Sequence, residues 1–428
     1  MAVRKSVYII PISEICVIFS GHYAQLAECC RKAIPDLTRN LSSLDNILPT
    51  FDLQHHSIGV LTVLFVKLQN VDRSDIELVF AQLQEFFLGC NGEQMRTVPD
   101  VFSELCHKLT EILTSKNQSS RGIPLLKSAI DRLRNSASQL TPIHADLCQL
   151  CLHSKILKPA LPYLDTDITD ILKENENSSE AKYFLAYYYY GGMIYATLKN
   201  FARSYFFFEI AITTPCTAVS HIMLESYKKY ILVSLLLHGR FPKVPKYTSN
   251  VVHRFINPLC VAYTELATAY VSRDSERLNT VAAQNQHVYI ADKNAGLVKQ
   301  VVNSLFKRNI QRLTKTFVTL SLADVANKCN LESPAVAEKH IINMIEDGEI
   351  FASINQRDGM VYFEDNPEKF ASLDTLASLD EQLRLCIEQE KLVAGMDEAL
   401  LLSADFQRKV NKSSSTLPDD EGLGLVLP

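Results

Sequence analysis

The sequence predicts a mostly α-helical protein: a right-handed array of helical repeats that ends in a winged-helix subdomain, followed by one more helix. Three observations carry that prediction. Glycine is scarce, 14 in 428 residues, which leaves too few turns for a barrel or a sandwich. Turn signals between residues 119 and 239 recur about every 35 to 45 residues, the spacing of helical repeats. Between Leu320 and Phe363 the hydrophobic period changes from helical to two, as a winged helix requires.

The elements follow in chain order. Arg4 and Lys5 precede an apolar run, Val7 to Phe19, which Pro11, Ser13 and Glu14 interrupt; this predicts a first packing helix rather than a leader. Turns are expected at Ser119–Gly122, Ser154-Lys155, Lys199-Asn200 and His238-Gly239. The clearest repeat runs from Tyr188 to Pro215. Gly192 and Tyr195 lie on its first helix, Ser204, Phe208 and Ala211 on its second, and Pro215 stops it. Small residues there let two helices cross closely, as in the tetratricopeptide pattern. One such hairpin cannot bury its own apolar face, so neighbours must stack; each buried Leu or Phe then contributes about 1.5–3 kcal/mol. Helices are predicted at Val261–Ser272, from Asp274 (an N-cap) to Ala282, and from about Lys293 to Phe317. The last carries the basic cluster Lys307, Arg308, Arg312 and Lys315. It reads as a solvated face, with contact to an acidic protein partner as the sharper alternative.

The winged unit is locally well marked. Ser321 with Asp324 opens a short helix that ends near Cys329-Asn330. Ser333 and Pro334 start a second, whose apolar stripe is Val336, Ala337, His340, Ile341, Met344 and Ile345. Gly348 suits a left-handed cap. A hairpin then follows: Ile350, Ala352 and Ile354 face one way, Asn355 to Gly359 turns through an Asp-Gly pair, and Met360 to Phe363 returns. Helix-turn-helix modules read DNA with their second helix, but three basic residues here face seven acidic ones. Phosphate neutralisation by Lys and Arg drives nucleic-acid binding, so this unit is expected to dock on protein. Its exposed strand edge and Ile342 are what it offers for that.

Past Phe370 a helix is predicted from about Leu373 to Leu402. Leu376, Leu379, Leu383, Cys386, Val393 and Leu400 form a heptad seam that Glu390 and Asp397 interrupt. No core remains in the sequence to cover it, so it is expected to enter a bundle with other chains. From Ser403 the pattern is lost and a disordered tail is expected, with Ser414, Ser415 and Thr416 as weak phosphorylation sites.

Composition narrows the function classes. A net charge of −5 is too mild to imply a polyanion or a membrane surface. Eleven cysteines with no paired framework point to a reducing compartment. No apolar run approaches the roughly 20 residues that cross a bilayer. His144, Cys148, Cys151 and His153 offer four potential zinc ligands in ten residues, including a Cys-x-x-Cys. Leu147, Leu150 and Leu152 crowd the same helix and no second Cys pair follows, so buried core cysteines are the reading. The block Tyr187–Tyr190 points all round a helix and is read as repeat packing rather than a ligand groove. His55-His56 lack ligand spacing. No zincin, nucleophile-elbow or phosphate-loop motif occurs, and no enzyme, metal or cofactor is predicted.

Helical repeats that lead through a long helix into a winged helix resemble the PCI domain, shared by scaffold subunits of the proteasome lid, the COP9 signalosome and an initiation factor. The strings His144–Leu152, Tyr187–Tyr195, His221–Gly239, Ile310–Ala326 and Met344–Phe370 are similar to the signalosome branch of that family, over about Leu41 to Phe370. The resemblance implies a non-catalytic scaffold subunit. The signalosome removes Nedd8 from cullins of cullin-RING (SCF-type) ubiquitin ligases, through a zinc isopeptidase with a His-x-His motif on another subunit; this chain lacks that motif. It also implies a division into a repeat region (1–196), a PCI domain (197–367, its winged helix 320–367), a bundle helix (368–402) and a tail (403–428). Partners would be the other signalosome subunits and, indirectly, the cullin-RING ligases, with no nucleic acid and no membrane, in cytoplasm and nucleus. The implied interface residues are Phe317, Thr319, Leu320, Ile342, Ile350, Phe351, Ile354, Val361 and Phe363 at the winged-helix edge, and the heptad seam on the last helix. Open alternatives are a stand-alone tetratricopeptide-type peptide-binding adaptor and a PCI subunit of a related assembly such as the proteasome lid.

Overall fold

Leucine-, alanine- and aromatic-rich segments with few breakers give helices almost throughout. The structure, a computed structural model, describes residues 23–39, 44, 48–70, 76–172, 179–216, 218–249, 252–331, 333–365, 373–404 and 406–408. The run Val7–Phe19 and the cluster Ser414–Thr416 lie outside the described residues. The chain divides into two compact units: residues 1–313 with 323–337, and residues 314–322 with 338–428.

The first unit is a stack of helices: α1 (Tyr23–Arg39), α2 (Ser57–Gln69), α3 (Ile76–Gly89), α4 (Gly92–Thr97), α5 (Pro99–Ser115), α6 (Ser119–Leu133), α7 (Ile143–Ser154), α8 (Ser179–Thr197), α9 (Phe201–Thr213), α10 (His221–His238), α11 (Val261–Ser272), α12 (Ser275–Gln284), α13 (Gln286–Ala291) and α14 (Ala295–Thr314). α6 packs on α7, α8 on α9 and α9 on α10, while α7 also lies against α8 and α5 against α7. Each hairpin is thus covered by the next, and one apolar core runs from Leu26 to Leu305. A two-residue parallel bridge, β1 (Gln139–Leu140) with β2 (Asp170–Ile171), ties two connecting segments together. The sequence carries no periodic signal for so short a pair.

The repeat read from Tyr188 to Pro215 is α8 and α9. A Cβ on Gly192 would lie 2.7 Å from the Phe208 ring, and one on Gly191 2.6 Å from Phe207. Ser204 Oγ donates to the Gly192 carbonyl at 2.8 Å. Two small residues and a hydroxyl therefore set how closely these helices cross. Lys199 takes φ +61°, and the Asn200 side chain accepts from the Arg203 amide to start α9. Ser220 caps α10, and Gly239 at φ +66° closes it. Three expectations need correction. Ser119–Gly122 is the first turn of α6, because Asn117 at φ +55° already makes the reversal. The long helix is confined to Ala295–Thr314, since Lys293 is left-handed at φ +57° and a strand begins at Thr319. The tail starts later than Ser403: Phe406–Arg408 is helical, and the Gln407 amide donates to the Ser403 carbonyl at 3.1 Å.

In sequence, β3 (Thr319–Ser321), α15 (Leu322–Cys329), α16 (Pro334–Glu346), β4 (Ala352–Asn355) and β5 (Met360–Phe363) follow, then α17 (Leu373–Leu402). The second unit holds the sheet, in the order β3-β5-β4. The sequence predicted two strands; β3 is the third, antiparallel to β5, with Leu320 opposite Val361. β4 pairs with β5 with Ile354 opposite Val361. Gly359 takes φ +62° and Gly348 φ +69°, the conformations expected at both positions.

Candidate assembly surfaces

Chemistry needs accessible groups, and the sequence-predicted edge residues divide sharply on that test. Leu320, Ile350, Val361 and Phe363 are buried, so they support the sheet from within and present no surface. Phe317, Phe351 and Ile354 are half-buried, and Thr319 is exposed. Ile342 on α16 is an exposed apolar residue, as is Tyr362 on β5. Val318, which the sequence reading passed over, is 75% exposed immediately before β3. Its signal was available: Phe317 to Thr319 is an aromatic and β-branched run directly preceding a helix cap. β5 is the central strand, and no further strand joins β3 or β4 among the described residues. Both outer strands are short, and the hairpin tip carries the charged residues Arg357 and Asp358, which limits indiscriminate pairing.

The terminal helix is the larger surface. α17 spans 30 residues, roughly 45 Å, and none of them is buried. Leu376 is 67% exposed and Leu383 55%; Leu379, Cys386, Val393 and Leu400 are exposed as well. The heptad reading caught one seam only. Leu385, Leu392 and Met396 recur at seven and four residues along a second stripe, and all three are exposed. Two apolar stripes on one helix call for more than one neighbouring helix.

The chemistry-bearing residues elsewhere serve the core. His144 is 2% exposed, and its Nδ1 lies 2.8 Å from Thr141 Oγ1 and 3.0 Å from the Thr141 amide. The amide donates, so Nδ1 accepts and the ring is held neutral; burial lowers its pKa to about 4. Burial also pushes the Cys148 thiol far up and the Cys151 thiol up to about 11, which keeps both from acting as thiolates. Tyr187 and Tyr188 are buried; Tyr189 and Tyr190 are half-buried against the same core. The cation cluster on α14 is split. Arg308 Nη2 donates to the carbonyls of Leu236 and Leu237 at 2.9 and 2.8 Å, satisfying the end of α10. A Cβ on Gly239 would meet that guanidinium at 2.6 Å. Among the described residues no group of three or more His, Cys, Asp or Glu side chains has metal-site geometry, and no helix is long and apolar enough to cross a membrane.

Stacked helical hairpins followed in sequence by a three-stranded winged-helix sheet define a helical-repeat scaffold of the PCI type. The sequence model described as the PCI domain matches residues 282–365, and that described as "COP9 signalosome complex subunit 3, N-terminal helical repeats" matches residues 20–252. The chain is 44% identical over 406 residues to COP9 signalosome complex subunit 3 of Drosophila melanogaster, covering 91% of each chain. It is 38% identical over 383 residues to the protein of the same description in Dictyostelium discoideum, covering 89% of this chain and 91% of that one. The chain belongs to the COP9 signalosome subunit 3 family.

Proposed function

We propose that this chain is a non-catalytic scaffold subunit of the COP9 signalosome, the assembly that removes Nedd8 from cullins of cullin-RING ubiquitin ligases. The observation that carries the reading is α17: thirty residues, rich in Leu, with no residue buried. An apolar patch of that extent marks a protein interface. On this reading α17 enters a bundle with helices of other subunits through Leu376, Leu379, Leu383, Cys386, Val393 and Leu400. The winged helix aligns with a neighbour along β3 and β4. Residues 1–196 form the repeat region, 197–367 the PCI domain, 368–402 the bundle helix and the residues beyond Arg408 the tail. Partners are the other subunits and, through them, the cullin-RING ligases, in cytoplasm and nucleus. Nucleic acid and membrane have no part in it.

A second reading, a peptide-binding adaptor, has one observation in its favour. A groove of about 480 Å³ is lined from α5, α7 and α8, among others by His107, Asp146, Lys182 and Tyr183. His107 pairs with Asp146 and stacks on Tyr183, with ring centroids 4.0 Å apart. Native size separates the readings. The scaffold migrates in a large assembly whose companions mass spectrometry identifies as the other subunits; an adaptor runs near the chain mass of 48.2 kDa. Ile354→Asp, which damages the hairpin, and removal of everything after Phe370 should each reduce co-purification of those companions. Normal incorporation of both variants would reject the docking assignment.

A further inference from the structure

Glu390 and Asp397 interrupt the apolar seam of α17, and an apolar bundle alone gives them no role. Counted in heptads from Leu376, both stand at the same position, seven residues apart, with Val393 between them and Leu400 just beyond. Both are exposed, and neither carboxylate has an ion-pair partner among the described residues. Their own helix supplies none. The residues three and four places away are Cys386, Ile387, Val393, Ala394, Leu400 and Leu401, and none is a cation. Of the two cations on α17, Arg384 pairs with Asp380 at 3.0 Å, and Lys391, next in sequence to Glu390, lies off the seam.

Once a neighbouring helix covers the seam, each carboxylate loses water, and a buried charge without a partner is strongly destabilising. A second copy of α17 cannot supply the counter-charge. Aligned in parallel, it sets Glu390 on Glu390 and Asp397 on Asp397; reversed, it buries both against apolar side chains. Seven carboxylates against two cations, −5 in all, add repulsion along the whole helix. A helix with Lys or Arg at two seam positions one heptad apart turns both costs into attraction. Charged and polar seam positions fix register and partner in coiled coils at some expense of stability. We propose that Glu390 and Asp397 are the partner-selecting residues of α17: they accept a basic amphipathic helix with two cations seven residues apart and refuse a second copy of this chain. The inference rests on the bundle role proposed above for α17.

The test has two arms, both with the full chain. In sedimentation velocity the isolated parent chain is expected to run as a monomer. Glu390→Leu/Asp397→Leu, which completes the apolar seam, should self-associate at least tenfold more tightly. The second arm titrates a labelled four-heptad peptide, with Leu along its seam and Lys at two seam positions seven residues apart, against its counterpart with Glu there. Two forms of each peptide, with the charges at the first or the second apolar position of the heptad, cover parallel and antiparallel pairing. The chain should bind one Lys form at least tenfold more tightly than either Glu form. Asp397→Lys should erase that preference, whereas Glu398→Lys, the same change of net charge off the seam, should keep it. All the substituted side chains are exposed, so the variants should fold as the parent does, which urea unfolding checks. Self-association of the parent chain, a Leu variant no more associative than the parent, equal binding of the Lys and Glu peptides, or equal effects of Asp397→Lys and Glu398→Lys would each overturn the proposal. None of these readouts needs the other subunits, so failure to co-purify with them rejects the bundle role separately.

Discussion

α10 and α17 are both leucine-rich helices, and their surroundings are opposite. Eleven of the eighteen residues of α10 are buried, among them Lys228 and Lys229. None of the thirty in α17 is. Within the stack even charge is drawn inside, because partners converge on it. Lys228 Nζ sits 2.7 Å from Glu225 and 2.9 Å from Asp292, and Tyr263 OH donates to Asp292 at 2.8 Å. On α17 the same kind of apolar residue stays exposed, and no residue of the helix is buried. The apolar side chains of the array stabilise the chain itself; those of α17 remain available to stabilise an assembly.

That contrast is open to direct measurement, beginning where the effect is largest. Phe208, fully buried between α8 and α9, should cost about 3–5 kcal/mol on truncation to Ala, read from urea unfolding of the isolated chain. A loss below about 1 kcal/mol would mean the repeat is not close-packed. Next comes acid. His144 is held neutral, with a pKa of about 4 against an ordinary 6.5, so the unfolded chain takes up a proton first as pH falls. Stability from this group is intact above pH 6.5 and should decline by about 1.4 kcal/mol per pH unit between pH 6 and pH 4. His144→Gln should flatten that part of the profile relative to the parent chain; parallel profiles would contradict the buried neutral ring. A third, smaller effect is expected of Gly192→Ala. The new Cβ would press on the Phe208 ring, at about 1–3 kcal/mol by the same unfolding measurement, and Gly192→Ala paired with Phe208→Leu should recover part of it.

Legibility in the sequence followed the range of the interactions. The hairpin turn was readable because Asp358-Gly359 is local turn chemistry, and the side chain of Asn355 meets Asp358 at 2.8 Å within the same turn. The α8–α9 crossing was readable because Gly192, Ser204 and Phe208 are all close in sequence. β3 was missed: three residues carry no period, and its partner β5 lies some forty positions later. The role of Arg308 was missed for the same reason, since its carbonyl partners on α10 are more than seventy residues away. Lys228 with Asp292 is a third such case, as burial of a lysine depends on a carboxylate from a distant turn. At the candidate surfaces, the seam on α17 was visible as a heptad, but the stripe of Leu385, Leu392 and Met396 fell outside a single-seam template. The edge assignment mixed core with surface, because alternation along a strand does not say which face a third strand and the helices will cover.

The central claim is that the apolar surface of α17 serves other chains and not this one. The direct measurement is the triple variant Leu376→Asp/Leu383→Asp/Val393→Asp, assayed twice: for unfolding as the isolated chain and for co-sedimentation with the other subunits. The account predicts a shift in unfolding free energy within about 0.5 kcal/mol per substitution and loss of co-sedimentation. A variant that enters the assembly like the parent chain, or one whose isolated fold collapses, would contradict it.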